Sequence, residues 1–228
     1  MLSSWGVAFE GVDVEAHPDR KRELEAHGVP RVPATINGDR AVHGWNPKAL
    51  AELVGVRYET KERLSPDELA QRLDRVLEAT QRIVAQMPPA GLDMKAPDRD
   101  RSVRQLAFHV FRLSVAFPDA REQNSFPESW LLDNPSASIG TPEDLVNYGE
   151  DARKRLKEWF ARPGWCDGTV ETYYGRQTSH ELMERTTWHA AQHVRQVYWF
   201  LDRLGIRVGN GLSERDLQGL PIPVAVWS

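Results

Sequence analysis

The sequence has one cysteine, Cys166, in 228 residues. That excludes an internal disulfide and any C-x-x-C redox or zinc pair within this chain. The flanks PGWCDGT read as a turn, and Asp167 beside the thiol raises its pKa, so a partly buried structural cysteine is expected rather than a reactive one. No block of lysine and arginine is dense enough to follow a phosphate backbone. The formal net charge is −4, so nucleic-acid binding lacks electrostatic support. No apolar run approaches the ~18 residues of a membrane span. The N-terminal MLSSWGVAFEGVDV lacks the basic-then-apolar profile of a signal peptide, so no membrane partner and a cytoplasmic location are expected.

What is present is a composition able to build a core: 40% hydrophobic and 27% charged residues, which sets aside disordered and collagen-like readings. The length allows one large domain or two modest ones, and the pattern changes character in a way that favours two. Over residues 1–56 the elements are short. VAFEGVDV (7–14) predicts a strand, and HPDRKRELEAHG (17–28) a helix with Pro18 in its first turn and Gly28 as its stop. VPRVPATING (29–38) predicts a second strand entering a hairpin turn at Asn37–Gly38, with DRAVHG (39–44) returning. WNPKALAELVG (45–55) predicts a helix capped by Asn46, with Pro47 at its first position and Gly55 at its end.

This β-α-β-β-α order, with Pro33 in VPATI and the stretch Gly38, Gly44, Trp45, Pro47, resembles the glutaredoxin and thioredoxin-like family. The resemblance puts Pro33 at that family's cis-proline position and GWNP at its thiol-facing segment. It covers only the back half of the family pattern, because the first strand and the C-x-x-C are absent and MLSSWG looks like the end of the helix that follows them. The expectation is therefore a truncated N-terminus or a degenerate domain kept for packing or thiol binding. A glutaredoxin-type redox activity would require a longer N-terminus.

Residues 57–64 are charged and unpatterned and read as a linker. From residue 65 the helical signals are long. SPDE (65–68) supplies Ser65 as cap, Pro66 at the first position and Glu68 as capping-box acid, and Leu69, Leu73, Val76, Leu77, Ile83 and Val84 follow at helical spacing. Residues 87–100 read as a loop. A second helix is predicted from about Ser102 to Phe117, stopped by Pro118, followed by a long connection over 118–140. TPED (141–144) opens a third helix, TVETYYG (169–175) reads as a short extended piece, and TSHE (178–181) opens a fourth that reaches Leu204 and stops at Gly205. Four amphipathic helices over 65–205 predict a four-helix bundle, making the chain mostly α with a small α/β unit in front. The tail 206–228 lacks a helical period and is expected to pack as an ordered strap.

The chemistry-bearing residues are histidines. In TTWHAAQHVRQ (186–196), His189 and His193 are four apart, so both rings project from one helix stripe one turn apart. In LAFHVFRL (106–113), His109 stands among Leu106, Val110 and Leu113, where an imidazole is costly unless its nitrogens are satisfied. Two readings compete: a buried histidine bonded to an ordinary acceptor, or a site in which His109, His189 and His193 meet in the bundle with positions open for water and substrate. Neutral imidazoles suit zinc, nickel or iron(II), and nothing in the residues selects among them. The residue after His189 is Ala190, so this is not H-E-x-x-H, and a zincin-type protease lacks its base. Arg112, Gln192 and Arg195 flank the histidines and are candidates to hold a substrate carboxylate. His180, nine residues before His189, falls on the opposite face. Trp188, Tyr198, Trp199 and Phe200 read as core aromatics, and His17, His27 and His43 are scattered.

His109 with HELMERTTWHAAQH (180–193), over about residues 65–205, resembles the DinB-like superfamily, whose metal triad is a histidine of the second helix plus an H-x-x-x-H of the last. That resemblance implies a divalent metal on His109, His189 and His193. It further implies transfer or isomerisation using a low-molecular-weight thiol and an electrophile, and a homodimer. The alternative from another class is a non-catalytic, stress-associated binding or dimerisation protein whose metal site is structural or vestigial.

Overall fold

The computed structural model describes residues 2, 5–12, 14, 17–29, 32–44, 46–57, 64–95, 100–207, 209, 211–222 and 226. The chain divides into two compact units, Met1–Arg63 with Tyr173–Gly175, and Leu64–Thr172 with Arg176–Ser228. Trp45 and residues 58–63 of the expected linker lie outside the described residues, as does much of the tail beyond Ile222.

In the first unit α1 spans Pro18–Ala26, β1 Ala34–Asn37, β2 Arg40–His43 and α2 Pro47–Val54. β1 and β2 pair antiparallel with Asn37 opposite Arg40. The hairpin loop is thus Gly38–Asp39, one residue later than the Asn37–Gly38 turn expected from sequence, and Gly38 takes the positive φ of 59° that the tight turn requires. The Asn37 amide and the Arg40 guanidinium both donate to the Leu53 carbonyl, at 2.9 and 3.0 Å, tying the hairpin to the end of α2. That helix starts as read: the Asn46 side chain accepts from the Ala49 N–H at 3.0 Å, and Gly55 closes it in the left-handed conformation. The Val32–Pro33 bond is cis.

The strand expected over 7–14 does not form: residues 7–12 have no regular structure, and Phe9 is 57% exposed. Apolar alternation makes a strand only where a partner edge takes up its N–H and C=O groups, and among the described residues of this unit the only ladder is β1–β2. The space beside this segment is a cleft of about 860 Å³ lined by Phe9, Val12, Leu24, Val32 and Ile36 among others.

The second unit is a bundle of α3 (Pro66–Gln86), α4 (Val103–Gln123), α5 (Pro142–Phe160) and α6 (Ser179–Arg203). All four begin with a capping box: Ser65 with Glu68, Ser102 with Gln105, Thr141 with Asp144 and Thr178 with Glu181. Each box satisfies two of the N–H groups a helix start leaves without partners. α3 and α4 each pack chiefly on α5 and α6, so the sequence neighbours α3 and α4 lie across the bundle from one another. This order puts α4 directly against α6, the two helices that carry the candidate histidines.

The core is filled by Leu69, Leu73, Leu77, Ile83, Phe111, Phe117, Leu145, Leu182, Met183 and Phe200, all almost fully buried. At Gly149 of α5 an added Cβ would lie 2.6 Å from the ring of Phe111, so glycine there permits the close approach of α5 to α4.

α4 does not stop at Pro118. It continues to Gln123 and ends on Asn124 in the left-handed conformation, φ 49°. An interior proline removes the bond to the carbonyl four residues back, here Ser114, and costs about 3 kcal/mol. Burying Phe117 and Ala120 in the core on either side offsets much of it, a fully buried phenylalanine alone contributing about 1.5–3 kcal/mol.

The expected long connection therefore shortens, and part of it is regular: β3 (Ser125–Phe126) and a 3-10 turn, Glu128–Leu132. β3 pairs parallel with β4 (Thr169–Thr172), whose other edge takes β5 (Gly175–Thr178), so the single extended piece read at 169–175 divides into the middle strand of a three-stranded sheet, a turn and the start of the next strand. The loop read at 87–100 contains a 3-10 turn, Pro89–Asp93, and the tail contains a one-turn helix, α7 (Glu214–Leu217). The tail lies on the bundle through named bonds: Arg72 Nε to the Gln218 carbonyl at 3.2 Å, Arg75 to Asp216 at 3.5 Å, and the Leu212 N–H to the Tyr198 hydroxyl at 3.0 Å. Among the described residues no helix is long and apolar enough to cross a membrane.

Candidate metal centre

α4 contributes His109, 4% exposed, and α6 contributes His189 and His193 from one stripe. The three rings converge, with centroids 5.4 Å apart for His109–His189, 5.0 Å for His109–His193 and 4.4 Å for His189–His193. One nitrogen from each ring lies within 4.8 Å of the other two, and this is the one such group of possible ligands among the described residues. The closest pair, Nε2 of His189 and Nε2 of His193, is 3.2 Å apart. That is about the spacing two nitrogens take on one ion with bonds of roughly 2.0–2.1 Å.

All three imidazoles are held neutral. Burial lowers His109 to about 2, with repulsion from His193, Arg101, Arg185 and Arg112 adding to it. Burial likewise lowers His193 to about 4, against an opposing hydrogen bond to the Gln196 oxygen and with Arg101 and Arg185 assisting. His189 lies far below its ordinary value, first through burial and then through the charges of His193 and Arg185. Near neutral pH the cluster therefore presents lone pairs with no proton to displace by ionisation. The charged side chains that act on it are guanidiniums. One buried and two partly buried imidazoles with lone pairs available fit a divalent transition ion.

Neighbouring polar groups on the helices are satisfied internally. The Thr186 and Thr187 hydroxyls donate back to the carbonyls of Leu182 and Met183 at 2.8 and 2.9 Å, and Ser114 does the same to Val110 at 2.7 Å. These bonds let short hydroxyl residues line a buried face.

The other residues singled out from sequence have partners within the chain. Arg112 Nε donates to Asp133 at 2.7 Å and its NH1 to Asp119 at 3.1 Å, while the guanidinium lies 5.1 Å over the Trp130 ring. Gln192 is buried, its oxygen accepting from Arg195 at 2.8 Å and its nitrogen donating to the Val226 carbonyl at 2.8 Å. His180 Nε2 bonds the Leu64 carbonyl at 2.8 Å, away from the cluster. Phe200 is core, whereas Trp199 is partly exposed with Arg203 stacked on it at 3.8 Å. The Cys166 thiol is half-buried and raised to about 11, chiefly by burial, with Asp167 adding to it against Arg121.

Two residues of this neighbourhood escaped the sequence reading. Gln196 Oε1 lies 2.6 Å from His193 Nδ1, and its position three residues after His193 on a helix was the available signal. Arg185, 7% exposed with its guanidinium 5.5 Å from the Phe126 ring, lies one turn before His189 on the same stripe.

No family model matches the sequence, and no curated protein matches it. Among solved structures the chain is similar to YfiT from Bacillus subtilis, with a TM-score of 0.52 and 17% identity, over 67% of this chain and 96% of that one. Both are four-helix bundles. YfiT is described as "a probable metal-dependent hydrolase with an unusual four-helix bundle topology". For this chain the likeness to YfiT establishes architecture, and the chemistry rests on its own residues.

Proposed function

We propose that His109, His189 and His193 bind one divalent transition ion and that the protein is a metal-dependent transferase or isomerase using a low-molecular-weight thiol. The observation that carries this is the meeting of three neutral imidazoles, His109 buried and His189 and His193 partly buried, with one nitrogen each within 4.8 Å of the others. Three protein ligands leave coordination positions for an outside molecule. An ion held there would acidify a bound thiol or water and polarise an electrophile.

The chain's own residues supply the rest. The imidazoles add no negative charge, so the ion keeps its full field, and Arg101, Arg185 and Arg112 reinforce it. Such a field favours an anionic nucleophile and an anionic co-substrate. Val110, Ala190 and Val194, all nearly fully buried, keep water from the helix stripes beside the rings. A thiol also needs less help than water, because its proton is lost near pH 8.5 without a strong base. Among the described residues, the charged side chains that chiefly shift the three rings are guanidiniums and the neighbouring imidazoles.

Metal-dependent hydrolysis is the second reading, favoured by the description of YfiT. Elemental analysis of purified protein, followed by assays with a small thiol plus an activated electrophile and with activated esters, separates the two. The leading reading expects about one ion per chain, thiol conjugation that chelation abolishes and metal restores, and loss of both in His189→Ala. Ester hydrolysis alone supports the second reading. Metal-free protein whose fold and turnover are unchanged in His189→Ala sinks both.

A further inference from the structure

The hydrogen bonds behind His193 decide which of its nitrogens is bare. Gln196 Nε2 donates to the Val226 backbone carbonyl at 3.1 Å, the same oxygen that accepts from Gln192 at 2.8 Å. A carbonyl can only accept, so the Gln196 amide has one allowed orientation, nitrogen toward Val226 and oxygen toward His193. That oxygen, 2.6 Å from Nδ1, can in turn only accept, so Nδ1 carries the ring's proton. The neutral ring then leaves Nε2 unprotonated, and Nε2 is the atom 3.2 Å from Nε2 of His189. With the amide reversed, its nitrogen would donate to Nδ1, the proton would move to Nε2, and the ligand atom would be blocked.

We infer that the Val226 carbonyl is the outermost member of the metal centre: acting through Gln196, it locks His193 in the Nδ1–H tautomer and holds the Nε2 lone pair toward the cluster. Gln196 and Val226 are positioning groups. The inference rests on the metal reading above. It makes ligand geometry on α6 depend on a backbone group thirty positions further along the chain. The approach of that segment is braced independently of the histidines by Arg72 on the Gln218 carbonyl and Arg75 on Asp216. Groups behind a metal-binding histidine fix its tautomer and orientation, and their loss weakens metal binding about 10- to 100-fold.

The test uses the full chain with Gln196→Leu, which removes the acceptor, Gln196→Glu, which keeps it, and a chain ending at Pro221, all checked for wild-type helicity. The tautomer is read directly from the ring nitrogen shifts of His193 in the metal-free protein at pH 7. Zinc affinity is read by competition with a chelator. Wild type is expected to show a protonated Nδ1 and a bare Nε2. Gln196→Leu and the shortened chain are expected to show mixed tautomers and about 10- to 100-fold weaker zinc binding, and Gln196→Glu to retain wild-type affinity. A wild-type ring protonated on Nε2, or zinc affinity unchanged in Gln196→Leu, overturns the inference while the metal reading stands. Wild-type protein with the expected tautomer but no zinc binding overturns the metal reading and with it the role assigned to Val226.

Discussion

Acidification of the metal-free protein from pH 7 to pH 5 tests the claim that the three histidines are kept neutral by their surroundings. In the unfolded chain each imidazole titrates near 6.5. In the bundle His109 and His193 are lowered to about 2 and about 4, and His189 lies far below its usual value, burial being the first cause in each case. Because the folded values are depressed, the unfolded state binds more protons below pH 6.5, so stability is full above that pH and falls as the pH falls. By pH 5 His109 and His193 have each withdrawn about 2 kcal/mol, and His189 adds to the loss in the same direction. That is a large share of the whole stability of many domains, about 5–15 kcal/mol. The window lies above the carboxylate range, so Asp144 and Glu68, lowered by their capping bonds, add their own loss only at lower pH. Urea unfolding followed by circular dichroism at pH 7, 6, 5.5 and 5 measures the effect. His109→Phe should recover about 2 kcal/mol of the acid loss, whatever its effect at pH 7. Equal stability at pH 7 and pH 5, or an undiminished acid loss in His109→Phe, would refute the account of the cluster's electrostatics.

For the same reason zinc affinity should stay level from pH 8 to about pH 5, whereas exposed histidines would lose it below 6.5; chelator competition at each pH measures this, and a decline beginning at 6.5 contradicts it. Gly149→Ala drives a methyl into the Phe111 ring at 2.6 Å and should destabilise the bundle by about 1–2 kcal/mol after the helix-propensity gain; an unchanged urea midpoint would show that the ring yields. Cys166, raised to about 11, should react with a disulfide reagent at pH 8 about two hundred times more slowly than in unfolded protein; equal rates would place the thiol in water.

The bundle was legible because its helix starts are written in side chains. Ser65, Thr141 and Thr178 each precede an acid by three residues, and the apolar stripes behind them have helical spacing. The spacing left the meeting of His109 with His189 and His193 as one of two readings, and the resemblance to the DinB-like superfamily was what favoured it. What escaped notice depends on contacts distant in sequence. β3 is two residues long and exists because β4 offers an edge. The segment 7–12 has strand-like alternation and no edge to use. Pro118 reads as a stop from its missing N–H, yet the buried residues on both sides keep the helix going. Gln196 owes its orientation to Val226, thirty residues away, which no local pattern encodes.

The passage of α4 through Pro118 also gives Arg112 structural partners. The added turn carries Asp119, whose one oxygen takes Arg112 at 3.1 Å and whose other takes Arg155 at 2.6 Å, while Asp133 holds Arg112 from the far side at 2.7 Å. A guanidinium one turn from His109 is thereby clamped at both ends. It works as a strut joining α4 and α5 to the segment before Thr141, and the cation at that corner lends rigidity to the wall.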